Sequence, residues 1–381
     1  MNTWIYLVFV LCTIGAASSG PFSEFAVTQG IKSLAPDLDE QGHLVWQQWY
    51  QDGASGDWDI HTKNLNSTDS SFLVIGWEGN QTAPSISGSW IVFEDEYAAD
   101  DHDIYAVDTA STADPNTVAA TELDERAPAI HGATVVWQRL YVDDAVSDWD
   151  LIGADITEPA DPQIYLVAGF TENQQTPAVY RNTVVWQDDY YGDFDITSAD
   201  VWLKNNPVEY PVSLTYQSQQ RAAVWKDYVV WDEDFGGGNF DILTANIYNP
   251  EAPEVFSITT QAGAQRNPDI YEHLVVWQDK RNGNWDIYGY NLITRQEFQI
   301  TNNASDQTRP AIGGGYVAWV DMRTGTESIY AAELTGAAVS ACTTPPAGDT
   351  NGDCRVDLED FLKTTESWLS CGLEYVEACG Y

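Results

Sequence analysis

The chain has 381 residues, with 16 Lys+Arg against 58 Asp+Glu and a formal charge of −42 at pH 7. Such a charge repels nucleic-acid phosphates and anionic membrane surfaces, which excludes both as general partners. With 44% hydrophobic and 13% aromatic residues the chain is too apolar for disorder, and 16 Trp and 20 Tyr point to a β-rich protein with aromatics between its layers.

Residues 4–17 form an apolar run followed by Ser18, Ser19 and Gly20. The pattern reads as a secretory signal over 1–20, too short to span a bilayer as a mature helix. Its first three residues carry no Lys or Arg, which leaves an uncleaved anchor or a misplaced start as the other readings. No later segment approaches membrane length, so the expectation is a secreted or cell-surface protein with no membrane insertion after signal removal.

Internal repetition governs the rest. Seven segments share one pattern: Leu44-Val45-Trp46, Ile91-Val92-Phe93, Val135-Val136-Trp137, Val184-Val185-Trp186, Val229-Val230-Trp231, Val275-Val276-Trp277 and Val317-Ala318-Trp319. Their aromatic residues follow one another at 47, 44, 49, 45, 46 and 42 residues. Asp-Ile or Asp-Leu recurs further on at Asp59, Asp103, Asp150, Asp195, Asp241 and Asp286, and Pro84, Pro128, Pro177, Pro268 and Pro310 stand nine residues before the aromatic. Pro36 stands ten before Trp46, and Ala222 replaces proline before Trp231.

Turn signals divide each unit into four short strands. In the sixth, Pro268-Asp269-Ile270 leads the first strand, His273–Gln278 is the second, Trp285–Tyr290 the third and Glu297–Thr301 the fourth. Four strands in about 45 residues is the arithmetic of a propeller blade. The seventh unit lacks a fourth strand, and Glu24-Phe25-Ala26-Val27-Thr28 near the N-terminus matches Glu297–Thr301. The expected fold is all-β: a seven-bladed β-propeller over 21–340, closed by an N-terminal strand that completes the last blade and removes its open edge.

The repeated Val-Val-Trp-Gln-Asp … Asp-Ile-Tyr, clearest at Val275–Asp279 and Asp286–Tyr288, resembles that of TolB-like propellers of archaeal and bacterial surface proteins. The resemblance covers about residues 22–340 and implies the fold; propellers host binders, scaffolds and enzymes alike.

Residues 341–381 form a second unit. Asp349, Asn351, Asp353, Asp357 and Asp360 occupy positions one, three, five, nine and twelve of a loop, with the Arg355 carbonyl at seven, an oxygen set suited to Ca2+. The loop and the short helix expected after it resemble a dockerin module of EF-hand type, which implies the calcium role for these six residues. Cys354 stands where such loops carry Gly, and a single loop replaces the pair of cellulosomal dockerins, so a cohesin-like partner stands beside an envelope partner as the reading of the tail. The four tail cysteines, at 342, 354, 371 and 379, allow three pairings. Export favours disulfides, with Cys354–Cys371 and Cys342–Cys379 the preferred pairing and zinc-bound or free thiols the other reading.

On the propeller, the loops between second and third strands are acidic: Asp52, Asp95, Asp143, Asp144, Asp188, Asp189, Asp234, Asp279 and Asp321. The segments entering each blade carry Gln81, Gln174, Gln219, Gln265 and Gln307, with Glu125 in the same place, and Arg126, Arg221, Arg266 and Arg309 beside them. Amides, carboxylates and guanidiniums next to aromatics suit a hydroxyl-rich ligand. Gln81, Gln174, Gln219, Gln265, Gln307, Arg126, Arg266, Arg309 and Asp279 are therefore the candidate ligand contacts, and turn-capping or blade-linking roles are the competing reading. The histidines, His43, His61, His102, His131 and His273, are scattered among blades. The expected function is a secreted, non-catalytic propeller binding extracellular polysaccharide, an envelope component or a surface protein; the alternative is a polysaccharide lyase or glycoside hydrolase at the channel mouth.

Overall fold

The computed structural model describes residues 22–336, 339 and 347–348, apart from 53–54, 99–100, 143–146, 190–191 and 205–206. The signal, the calcium loop with its six ligands, the helix after it and all cysteines lie outside the described residues.

The 28 strands form seven antiparallel four-stranded sheets, and no described residue is α-helical. The blades begin with Ser33–Leu38, Asn80–Ser87, Glu125–His131, Gln174–Tyr180, Gln219–Trp225, Gln265–Tyr271 and Gln307–Gly313, and these first strands line a central channel. Blades are numbered in that order. In the seventh, Gln307–Gly313, Tyr316–Asp321 and Ser328–Glu333 are followed in space by Glu24–Ala26, which pairs antiparallel with Tyr330–Ala332. The closing strand repeats the chemistry of the outer strands it matches. Thr28 Oγ1 accepts the Ile329 amide at 2.8 Å, as Thr301 accepts Ile287 and Thr259 accepts Ile242, both at 2.8 Å.

The six repeated tryptophans and Phe93 sit in second strands and are at most 1% exposed. Each packs against the preceding blade; Trp231, for example, meets Val185 and Ile196 of blade 4. Burying so large an apolar surface contributes roughly 3 kcal/mol per ring and joins the sheets without cross-links.

Six of the seven first strands start three residues before the position of the proline, at Gln265 rather than Pro268 in blade 6, and that of blade 2 starts four before, at Asn80. A β-bulge accounts for the difference. All seven first strands shift register here, with a residue in the left-handed region just before the proline position: Ala35, Ala83, Ala127, Thr176, Arg221, Asn267 and Arg309. The bulge lets a residue that lacks an N–H enter an otherwise paired strand. The amide of the left-handed residue is bound by the side chain that follows the aromatic of the preceding blade: Ala83 N to Gln47 at 3.0 Å, Ala127 N to Glu94 at 2.6 Å, Thr176 N to Gln138 at 2.9 Å and Arg309 N to Gln278 at 2.8 Å. Val320 breaks this series at the joint between the seventh blade and the first.

Candidate binding site in the central channel

The five glutamines open the first strands and are fully buried. Gln81 accepts the Trp77 amide at 3.1 Å and donates to Asp95 at 2.8 Å. Gln174 accepts the Phe170 amide at 3.2 Å, and Gln219 accepts the Ile196 amide of the preceding blade, also at 3.2 Å. Gln265 donates to Asp241 Oδ1 at 3.0 Å, and Gln307 donates to the Ser305 carbonyl. Apart from Gln307 Oε1, which has no partner among the described residues, their amides are used in holding turns and neighbouring blades, so a ligand arriving at this face meets the arginines first.

The four arginines occupy two registers. Arg221 and Arg309 are bulge residues and line the channel. Arg221 grips the buried Asp232 through Nε at 2.7 Å and Nη2 at 2.8 Å. Arg126 and Arg266 come one residue earlier in the repeat; Arg126 donates to Asp124 at 2.7 Å, and Arg266 lies 3.8 Å over the Phe240 ring. Asp279 is fully buried, accepting the Trp277 indole N–H at 3.0 Å and the Arg281 Nε at 2.9 Å. The same aspartate-to-indole bond occurs at Trp186–Asp188 and Trp319–Asp321, while Arg139 stands at that place in blade 3 and leaves the Trp137 indole N–H without a partner among the described residues.

The channel encloses about 880 Å³. Its end remote from the glutamines is built by the seventh residue of six first strands, counted from the glutamine position: Asp39, Ser87, His131, Tyr180, Trp225 and Tyr271, with Gly313 at the same position in blade 7. Four of them form an aromatic arc, with ring centroids 4.5 Å apart for His131–Tyr180, 4.5 Å for Tyr180–Trp225 and 4.6 Å for Trp225–Tyr271. The arc is closed from the other side by Glu40, whose Oε1 lies 3.0 Å from His131 Nε2 and whose carbonyl accepts the Tyr271 hydroxyl at 3.5 Å. The Trp225 indole N–H, buried in this wall, has no partner among the described residues.

Glu40 reaches across because the first hairpin of blade 1 is one residue longer than the others. Leu38 pairs with Leu44, whereas the equivalent Ile86 pairs with Ile91. Asp39 sets the shape of that loop, accepting the amides of Gln41 and His43 at 2.8 Å and of Gly88 at 3.1 Å, with His43 Nδ1 2.8 Å away. The loop rests on blade 7, where a Cβ on Gly313 would stand 2.4 Å from the Asp39 carbonyl and one on Gly314 would stand 2.2 Å from the Gly42 nitrogen. Glycine is required at both by backbone contact.

Two carboxylates face the channel above this floor. Burial pushes Asp37 up to about 6 and Asp269 up to about 7, against backbone hydrogen bonds from Ile86 and Ile312 that pull them down. At this end, aromatic faces, an indole donor and carboxylates can together hold a ring bearing hydroxyls and apolar C–H faces. Among the described residues no three His, Cys, Asp or Glu side chains gather as a metal site.

Of the predicted contacts, the structure brings Arg309 to the channel and keeps the glutamines and Asp279 in the blade interior. The arc was missed because a search for repeats discards a position that varies from blade to blade. Two signals point to it: Pro36 stands ten rather than nine residues before its aromatic, and three glycines, 313–315, occupy the turn that faces it.

No protein-family model and no curated protein matches the chain. Solved structures do. An oligogalacturonate lyase in complex with manganese is similar at 13% identity and a TM-score of 0.63, over 84% of this chain and 94% of that one. The oligogalacturonate lyase of Vibrio parahaemolyticus gives 12% and 0.62, over 83% and 95%. The β-propeller domain of the trilobed protease of Pyrococcus furiosus, described as having an open velcro topology, gives 13% and 0.59, over 82% and 97%. At these identities the likeness shows the shared propeller fold.

Proposed function

We propose that this is a secreted, non-catalytic propeller that binds extracellular polysaccharide or an envelope component in its central channel. The aromatic arc, with a Trp225 indole N–H that has no partner among the described residues, carries the reading. Sugar rings stack their C–H faces on aromatic faces, and their hydroxyls serve buried donors and carboxylates such as Asp269 and Glu40. The tail is proposed as a calcium-binding attachment module, through Asp349, Asn351, Asp353, Arg355, Asp357 and Asp360. Its test is the melting of the tail in calcium and in chelator, with Asp349→Ala expected to abolish the difference.

A lyase acting on an acidic polysaccharide is the second reading. It is favoured by the likeness to the two oligogalacturonate lyases and by Arg221 and Arg309 in the channel, where guanidiniums suit sugar carboxylates. One experiment separates the two readings: incubate the full chain with neutral and uronate polysaccharides, then assay co-sedimentation and released reducing or unsaturated ends. Co-sedimentation without new ends supports the binder; new ends, lost in Arg309→Ala, support the lyase.

A further inference from the structure

The internal repeat offers a comparison within the channel. Two residues before the position of the aromatic arc, about 7 Å along the strand, the fifth residue of every first strand lines the cavity. It is small in five blades, as Ser85, Ala129, Ala178, Ala223 and Ala311. In blades 1 and 6, which flank blade 7, it is Asp37 and Asp269. The small side chains leave a chamber above the arc, and the two carboxylates face into it.

Both carboxylates are fixed by backbone and lack a counter-charge. Asp37 accepts the Leu38 and Ile86 amides at 2.9 Å, and Asp269 accepts the Ile270 and Ile312 amides at 2.8 Å. Neither forms an ion pair among the described residues. By contrast, the buried Asp232, Asp279 and Asp321 hold Arg221, Arg281 and Arg323 at 2.7, 2.5 and 2.6 Å. Burial, and with it the charge of Asp37, keeps Asp269 up at about 7. Burial followed by Glu272, Glu40 and Asp39 pushes the Tyr271 hydroxyl up to about 12, so the floor of the chamber is negative as well. The cations closest to this floor are engaged: His131 faces Glu40, and Arg181 lies 5.4 Å from the Tyr180 ring, outside the channel lining.

We propose that this chamber takes a positively charged ammonium group of the ligand, borne by an amino sugar or by a choline-type substituent of an envelope polymer. The assignment rests on the saccharide or envelope-polymer reading above and adds the charge of the group bound. Asp37 and Asp269 supply the opposite charge that the rest of the chain finds in arginine, and the rings of Trp225 and Tyr271 below them attract a cation through their π faces. A cation between the two carboxylates also removes their mutual repulsion.

Two pairs of probes are titrated calorimetrically into the full chain at pH 7: choline with neohexyl alcohol, its uncharged carbon isostere, and a glucosamine tetramer with the matching glucose tetramer. The charged member of at least one pair is expected to bind about tenfold or more tightly than its neutral partner, and the pair that shows the preference identifies the source of the ammonium. The preference should be lost in Asp37→Asn and in Asp269→Asn, whose amide oxygens still serve one backbone N–H each, and kept in Asp59→Asn outside the channel; melting curves confirm that each variant is folded. Equal binding within both pairs, failure of all four probes to bind, or a preference that survives both channel substitutions would overturn the assignment. Polysaccharide co-sedimentation that still depends on Tyr271 would then leave the binding reading standing, and its loss would remove both.

Discussion

Glu40 and His131 meet across the mouth of the channel, Oε1 to Nε2 at 3.0 Å, although 91 residues and a whole blade separate them in sequence. The contact exists because one hairpin is a residue longer than its six counterparts and because glycines in the adjoining blade leave room for it. It turns a sevenfold repeat into a site with a direction.

Gly313→Ala tests the seat of that loop. Its Cβ would press to 2.4 Å from a backbone carbonyl that has nowhere to move cheaply. The variant should lose about 1–3 kcal/mol of stability, measured by denaturant unfolding, and should lose saccharide binding with it. Unchanged stability and binding would mean that the loop is not seated there.

Glu125 stands where five blades have a buried glutamine. Burial and then Asp103 raise it to about 7, against a hydrogen bond from Thr121, and its Oε2 and the Asp103 Oδ1 have no partner among the described residues. A folded-state value above the unfolded one means that protonation favours folding. The group's stabilising contribution is present at low pH and is lost as pH rises from the unfolded value through about 7. Glu125→Gln should therefore raise stability by about 1–3 kcal/mol at pH 8 and by little at pH 5, read from melting curves at both. A loss at both would show that the carboxylate is needed.

The whole chain should follow the same sign. Asp37, Asp59, Asp103 and Asp195 are raised to about 6, and Asp269 and Glu209 to about 7, in each case mainly by burial. The melting temperature is expected to be higher at pH 6 than at pH 8, and Asp269→Asn should narrow the gap. Self-repulsion at a charge of −42 acts in the same direction. A melting temperature that falls on acidification over this window would contradict the assignment.

Arg323 joins the closing strand to the ring through Glu24 and Asp321, and Asp321 is fully buried. Arg323→Met leaves that carboxylate without its counter-charge and should cost about 3–5 kcal/mol. Arg126→Met, at a partly exposed pair whose Asp124 also has His102 as a partner, should cost at most about 1 kcal/mol. Denaturant midpoints compare the two; equal losses would mean that ring closure does not depend on Arg323.

The features that recur in every blade were legible in the sequence. Val275-Val276-Trp277 and its counterparts announce the second strands, and the match of Glu24–Thr28 to Glu297–Thr301 identified the closing strand; that Thr28 and Thr301 make the same hydrogen bond is seen only in the structure. First-strand limits were misplaced, because proline marks a break in pairing and the bulge that absorbs it is a backbone event. The glutamine ring was found but its burial was not, since a repeated polar residue looks the same on a surface and in a turn. The channel floor was hidden for the opposite reason: Ser87, His131, Trp225 and Gly313 occupy one position and share no chemistry.

The central claim is that the arc of Tyr180, Trp225 and Tyr271 with Glu40 holds a saccharide. Calorimetric titration of the full chain, of Tyr271→Ala and of Glu40→Ala with the polysaccharide that co-sediments best tests it directly. Each variant is expected to stay folded and to bind at least about tenfold more weakly. Undiminished binding by both would place the ligand elsewhere on the propeller and contradict the account.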